Sequence, residues 1–362
     1  MSDILVGALS LLLATNQPAA VSHYFTERVA PLSVLMGEPM VDPADPVEIE
    51  FQDVLKVDDA GEAEMERVLL ETTPPDLARA ETRATLREAK RKALLQIINR
   101  TRDRYEVFLK RHPDHVRARL AYGDHLSTHG EDSEVLEQLG IALKLDPRNP
   151  VVWNNYAGHF AHVGPITNAF HAYEQALALR PFEPLYHYNF GTVVFLYRAD
   201  AMDYYHCNET AVFERALDHY RECRRLAPNN FRYAFEYAQT FYGVKPEPAD
   251  TPEGKKQAEE RLAVRALKAW DEALVVANNE TDRDGIFLHF ARWQIKSGRW
   301  EEARANLARV TLQEHAELKR RLERNLVQRE SGLDVAPDDR PPIEAPKLEL
   351  KPVPAPAPDP AP

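Results

Sequence analysis

Gly123, Ala157 and Gly191 each sit in a bulky setting, in LAYGDHL, NYAGHF and YNFGTVV, and each lies 34 residues from the next. Pro113, Pro147 and Pro181 keep the same interval, and so do Ala142 and Ala176. Small and helix-ending residues recurring at one fixed period mark a chain of stacked repeats, each of which buries its apolar face only against a neighbour.

One copy, Pro150 to about Glu183, is nearly complete. Trp153 stands at position 4, Tyr156 at 7, Ala157 at 8 and Phe160 at 11; Gly164 follows at a turn, then Ala169 at 20, Tyr173 at 24, Ala176 at 27 and Pro181 at 32. This pattern resembles the tetratricopeptide repeat. Small side chains at 8, 20 and 27 let helices approach, and large ones at 4, 7, 11 and 24 fill the remaining space. Gly164 ends the first helix and Pro181 stops the second. The resemblance implies an all-α, right-handed α-solenoid of helix pairs.

The other copies are looser. Residues 116–149 carry Gly123, Ala142 and Pro147, with Arg119 where an aromatic is usual; 184–230 carry Gly191, Ala216, Tyr220 and Pro228. Residues 231–280 carry Ala238, Ala266, Trp270 and Ala273, and 284–314 carry Ala291, Gly298, Ala303 and Leu307. Gly191 and Ala216 are 25 apart where the unbroken copy has 12, and Ala238 and Ala266 are 28 apart. The repeats of 116–314 are therefore interrupted twice, at about 197–209 and 243–257. Both insertions fall between the two helices of a repeat, so they should be neighbours and form one lip. In the first, YRADAMDYYHCN, a short helical turn is expected over Asp200–His206 and an N-cap at Asn208. Tyr204 and Tyr205 belong to that lip, either packed or in contact with a ligand.

Four flanking regions complete the chain. Residues 1–37 open with an apolar run, Ile4–Ala14, of signal-peptide length but too short to span a bilayer. Asp3 is acidic and no Lys or Arg precedes Arg28, so the expected form is a short apolar helix docked on the protein itself, with export the alternative. Residues 38–115 comprise short acidic helices (Glu48, Glu50, Asp53, Asp58, Asp59, Glu62, Glu64, Glu66) and a long helix from Asp76 to Arg111. That helix begins with a basic run, Arg79, Arg83, Arg87, Lys90, Arg91 and Lys92, expected to pair with the acidic residues. Residues 315–334 read as a capping helix, and 335–362, rich in proline, as a disordered tail.

The formal charge of −12 and pI near 5.6 argue against broad nucleic-acid binding. Two cysteines, Cys207 and Cys223, make no disulfide framework or metal spacing; a reducing, cytoplasmic setting without a membrane span is expected. His125 with His129 and His159 with His162 could each place two imidazoles on one helical face. No HExxH, phosphate loop or GxSxG elbow accompanies them. The chain reads as non-catalytic, with no metal or cofactor; an enzyme with a histidine-based metal site is the alternative.

The resemblance also implies which residues face the concave groove. They are Val151, Asn154, Gly158, Ala161 and His162 in one copy, then Leu185, Tyr188, Thr192, Phe195 and Leu196, then Arg232, Phe235, Gln239, Tyr242 and Gly243. Some family members hold acidic peptide tails with a Lys/Asn/Asn/Lys/Arg clamp. Here Asn155, Asn189 and Arg232 match, but Leu120 and Asn154 replace a Lys, and Glu236 replaces the Arg. The expected function is a protein–protein interaction scaffold binding an apolar peptide or helical segment of an unidentified partner. Asn154, Tyr188, Asn189, Phe195, Arg232, Phe235 and Tyr242 form its expected site. An exported or membrane-associated assembly factor using the same repeats is the rival.

Overall fold

The computed structural model describes residues 44–70, 80–129 and 132–332. The apolar N-terminal run and the proline-rich tail lie outside them. Fourteen α-helices and a 3₁₀ turn make up the described residues. They are α1 Pro46–Leu70, α2 Ala80–Arg111, α3 Val116–Thr128, α4 Asp132–Leu145, α5 Pro150–Val163, α6 Ile166–Leu179 and α7 Pro184–Leu196. There follow α8 Arg198–Tyr205, α9 Glu209–Leu226, α10 Phe231–Thr240, α11 Pro252–Val275, α12 Glu280–Lys296, α13 Trp300–Arg309 and, after the 3₁₀ turn, α14 Ala316–Glu330. None is long and apolar enough to cross a membrane.

The helices pair as antiparallel hairpins: α1 with α2, α3 with α4, α5 with α6, α7 with α9, α10 with α11, and α12 with α13. Their close approach rests on the recurring small residues. Ala157, Ala169 and Ala176 are fully buried, and a Cβ on Gly191 would meet the Ala216 carbonyl oxygen at 3.3 Å and His219 Cβ at 3.1 Å. Helix starts carry side-chain caps: Asn149, Asn208, Asn230, Thr251 and Asn279 each accept a bond from a backbone N–H of the first turn. Gly164 ends α5 with φ 74, a conformation that costs glycine nothing.

Position 4 of the repeat holds a common device in three chemical forms. Trp153 Nε1 donates to the Pro147 carbonyl at 2.9 Å. Arg119 reaches the Pro113 carbonyl at 2.6 and 2.8 Å, and His187 Nε2 lies 2.9 Å from the Pro181 carbonyl. In these three copies the first turn of the first helix is so tied to the proline that precedes it. Arg119 thus replaces the aromatic without losing the bond.

The chain divides into two compact units at Arg180/Pro181. In the first, the acidic segment is one 25-residue helix, α1, where several short ones were expected. It runs through Gly61 because that glycine abuts α2: a Cβ there would come 3.0 Å from Thr101 Oγ1. Its described ion pairs reach α2 and the start of α3. Glu64 pairs with Arg100 at 2.6 Å, Glu48 with Arg117 at 2.5 Å, and Glu50 with Arg111 and His112. These lie beyond the basic run, in which Arg91 pairs locally with Glu88. Apolar packing sets this register, through Phe51 on Phe108 and through Met65, Leu94, Ile97 and Ile98; the charges then take whatever falls opposite.

In the second unit one core runs through α9 to α14, with Trp270, Trp293, Ile286, Leu322 and Leu326 buried. The cap, α14, buries Leu322 and Leu326 against α12 and α13. Asp284, 4% exposed, fixes the chain before it by accepting bonds from the Thr311 and Leu312 N–H groups at 2.8 and 2.7 Å.

Candidate partner-binding face

The expected site residues divide between the units. Asn154, on α5 of the first, is 2% exposed. The remainder lie in the second. Tyr188 and Asn189 on α7 are 1% and 6% exposed. Tyr188 is enclosed by Tyr233 at 5.1 Å, Tyr220 at 6.0 Å and the Arg232 guanidinium over its ring at 5.4 Å. Arg232, itself exposed, donates to the Tyr188 hydroxyl at 3.1 Å. Phe195 is half-buried against Phe213 at 5.7 Å.

Phe235 and Tyr242, on α10, enter an aromatic cluster with α11 and α12. His289 lies flat on Trp270, with centroids 3.9 Å apart and planes 6° from parallel. Phe235 meets Trp270 edge-on at 5.2 Å, and Tyr242 stacks on Trp293 at 5.1 Å. The Tyr242 hydroxyl is 2.9 Å from His289 Nδ1. Burial between these rings, helped by Arg292 and His315, pushes the His289 pKa down to about 3, so the imidazole is neutral at physiological pH and bonds the tyrosine without a charge.

Sequence reasoning missed the second row of this face. Arg292 lies 5.5 Å from the Tyr242 ring centre, and Lys296 lies 5.0 Å from that of Trp293. Neither they nor Arg232 meets a carboxylate among the described residues, whereas Arg198, Arg224, Arg261, Arg265 and Arg299 all do. Arg292 and Lys296 recur at i and i+4 on α12, beside an aromatic Trp293; that spacing was the available signal.

The two insertions meet. The first contains α8, an eight-residue helix and so longer than the single turn expected, closed by His206 in the left-handed region (φ 51). Asn208 then caps α9 through the Ala211 N–H at 2.9 Å. Glu209 bridges the insertions, taking Arg198 at 3.4 Å from one side and Lys245 of the second insertion from the other. Tyr204 and Tyr205 are half-buried and edge-to-face at 4.9 Å, with Arg215 over Tyr205 at 3.9 Å. Gly243 opens the second insertion where space is shortest: a Cβ would sit 2.8 Å from both Phe195 Cε2 and Phe213 Cε1. Gly243→Val should cost about 1–3 kcal/mol by overpacking, and an unchanged denaturation midpoint would contradict that contact.

The histidine pairs belong to the first unit. His125 and His129 are edge-to-face at 4.6 Å, and His125 Nδ1 lies 3.0 Å from Asp58 Oδ1. Desolvation lowers the pKa of His159 and His162. Among the described residues no group of three or more His, Cys, Asp or Glu side chains is placed to hold a metal ion.

No family model and no curated protein matches the chain. Several solved structures of tetratricopeptide repeat proteins do. YrrB, described as having an unusual peptide-binding site, matches at 14% identity and TM-score 0.44, over 61% of this chain and 97% of its own. PilF of Pseudomonas aeruginosa matches at 17% identity and TM-score 0.44, over 74% and 99%. A tetratricopeptide repeat protein of Parabacteroides merdae matches at 10% identity and TM-score 0.38, over 78% and 98%.

Proposed function

We propose that the protein is a non-catalytic interaction scaffold, and that the second unit captures a peptide or helical segment of a partner protein on the face formed by α7, α10 and α12. The observation that carries this reading is a set of three cations that meet no carboxylate among the described residues and stand against aromatic rings of one face. Phe235 and Tyr242 offer apolar area at low entropic cost, and Arg232, Arg292 and Lys296 stand over or beside rings that fix their positions. Interfaces concentrate their energy in such aromatic and arginine anchors. Tyr188 and Asn189, being buried, support the face from beneath, and Phe195 ties it to the second insertion. Asn154 lies in the first unit, where it is enclosed.

A photo-crosslinking residue placed at Gln239, which sits half-buried between Phe235 and Tyr242 in sequence, tests the assignment in native lysate. Crosslinked partner should appear with the label at 239 and vanish when Arg292→Glu is added, while a label at exposed Lys256 on the second insertion gives none. Equal labelling from both positions would sink the assignment. Losing one interfacial anchor of this kind should weaken a purified partner by about 2 kcal/mol or more.

A further inference from the structure

The second unit contains a cavity of about 480 Å³ between α9 and α11, floored by α10. Its charge is opposite to that of the chain. Arg221, Arg224, Arg225, Arg265 and Lys268 line it, against one carboxylate, Glu272, in a protein of formal charge −12. Tyr237 organises two of these cations. The Arg224 guanidinium lies over its ring, 4.5 Å from the centre, and its hydroxyl interacts electrostatically with Arg221. Glu272 holds Arg224 from the far side at 2.5 Å. Arg224 is therefore fixed before any ligand arrives, which removes much of the entropy cost of immobilising a long side chain.

The other arginines are held by carboxylates that do not line the cavity: Arg221 by Asp218, Arg225 by Glu222 at 2.6 Å, and Arg265 by Glu214 at 2.9 Å. Their side chains are about half exposed (52%, 59% and 45%). Exposed ion pairs of this kind are weak and leave guanidinium N–H groups to spare, since each guanidinium has five. Lys268 is exposed and meets no carboxylate among the described residues.

We propose that this cavity binds a phosphate group. Five cations lining one cavity suit a ligand whose charge is concentrated on a few oxygens, and planar guanidinium forks match phosphate geometry in bidentate fashion. An acidic peptide spreads one charge per residue along an extended backbone and so brings less charge to a single cluster of cations. The carrier of the phosphate is either a free small molecule or a phosphorylated side chain of a protein.

Calorimetric titration of the full chain with inorganic pyrophosphate at low ionic strength tests the site, with phosphoserine peptide and hexaglutamate titrated in parallel. Pyrophosphate should bind with a salt-sensitive affinity, and the double variant Arg221→Gln/Lys268→Gln should bind it about tenfold or more weakly. Tyr237→Phe keeps the ring under Arg224 and removes only the hydroxyl near Arg221, so it should weaken binding less than the double variant. Tighter binding of the phosphoserine peptide than of pyrophosphate would assign the carrier to a protein, and the reverse to a small molecule. Absence of binding at millimolar pyrophosphate, an affinity unchanged in the folded double variant, or hexaglutamate binding more tightly than both phosphates would overturn the proposal. Arg292→Glu, which disables the partner face, should leave the pyrophosphate affinity unchanged, so the two assignments fail separately.

Discussion

Trp270→Ala is expected to destabilise the second unit by about 3–5 kcal/mol, the usual cost of deleting a large aromatic from a close-packed core. Trp270 is fully buried. His289 lies flat on it, Phe235 meets it edge-on, and Tyr242 lies 6.4 Å away. Its indole N–H has no hydrogen-bond partner among the described residues, so its contribution is packing. Trp270→Phe keeps much of the ring area and should cost less than half as much. Hydrogen exchange at α11 and α12 amides under increasing denaturant reads the effect locally. A loss below about 1 kcal/mol would show that the cluster collapses around the gap or contributes little. Because Phe235 and Tyr242 lean on the same indole, the alanine variant should also lose partner capture, whereas Arg292→Glu loses capture with stability nearly unchanged.

Mild acid should destabilise the same unit. Burial pushes both His289 and His219 down to about 3, from an ordinary value of 6.5. His219 is packed against Phe190 at 4.6 Å and lies beside His187 and Arg215, which add to the shift. The unfolded chain takes up each proton near pH 6.5, while the folded unit resists until about pH 3. The stability is therefore complete above pH 6.5 and is lost as the pH falls through that window, at up to about 1.4 kcal/mol per pH unit for each histidine. Measurements between pH 6.5 and 5 avoid the range in which ordinary carboxylates titrate. Exchange protection of α12 should fall there in the wild type, and His289→Gln should remove about half of the slope. A flat profile would mean that both imidazoles take up protons in the folded unit as readily as in the unfolded chain.

The period of 34 was readable because it is a packing constraint repeated in sequence: each small residue marks a place where two helices touch, as Gly191 shows against Ala216. The insertions were readable from the same ruler, since a stretched interval between two landmarks locates extra chain. Asn208 announced its helix because an N-cap is a local bond. Interactions across helices were harder to read. The acidic run of α1 does pair with the basic helix, through Glu64 with Arg100 and Glu50 with Arg111. Which cations fall opposite, however, follows the register set by Phe51 and Phe108, which no local pattern encodes. Tyr188 and Asn154 were expected to face a groove from their repeat positions. The burial of Tyr188 depends on the bulky neighbours Tyr220 and Tyr233, contributed by adjoining helices. Arg292 and Lys296 passed unnoticed because a cation's significance here is the absence of a carboxylate nearby, and only the placement of every neighbour reveals it.

What the amino-acid order determined by itself was therefore the local and the periodic: helices, their caps and ends, the pairing of adjacent helices, and the points where extra chain enters. Those features depend on backbone conformation and on close approach within one repeat, both written within a few dozen residues. Only the tertiary structure decided which surfaces are open, which charges are satisfied, and where five cations line one cavity beside Tyr237. Those properties are sums over side chains from distant parts of the chain, and burial and electrostatics depend on that sum.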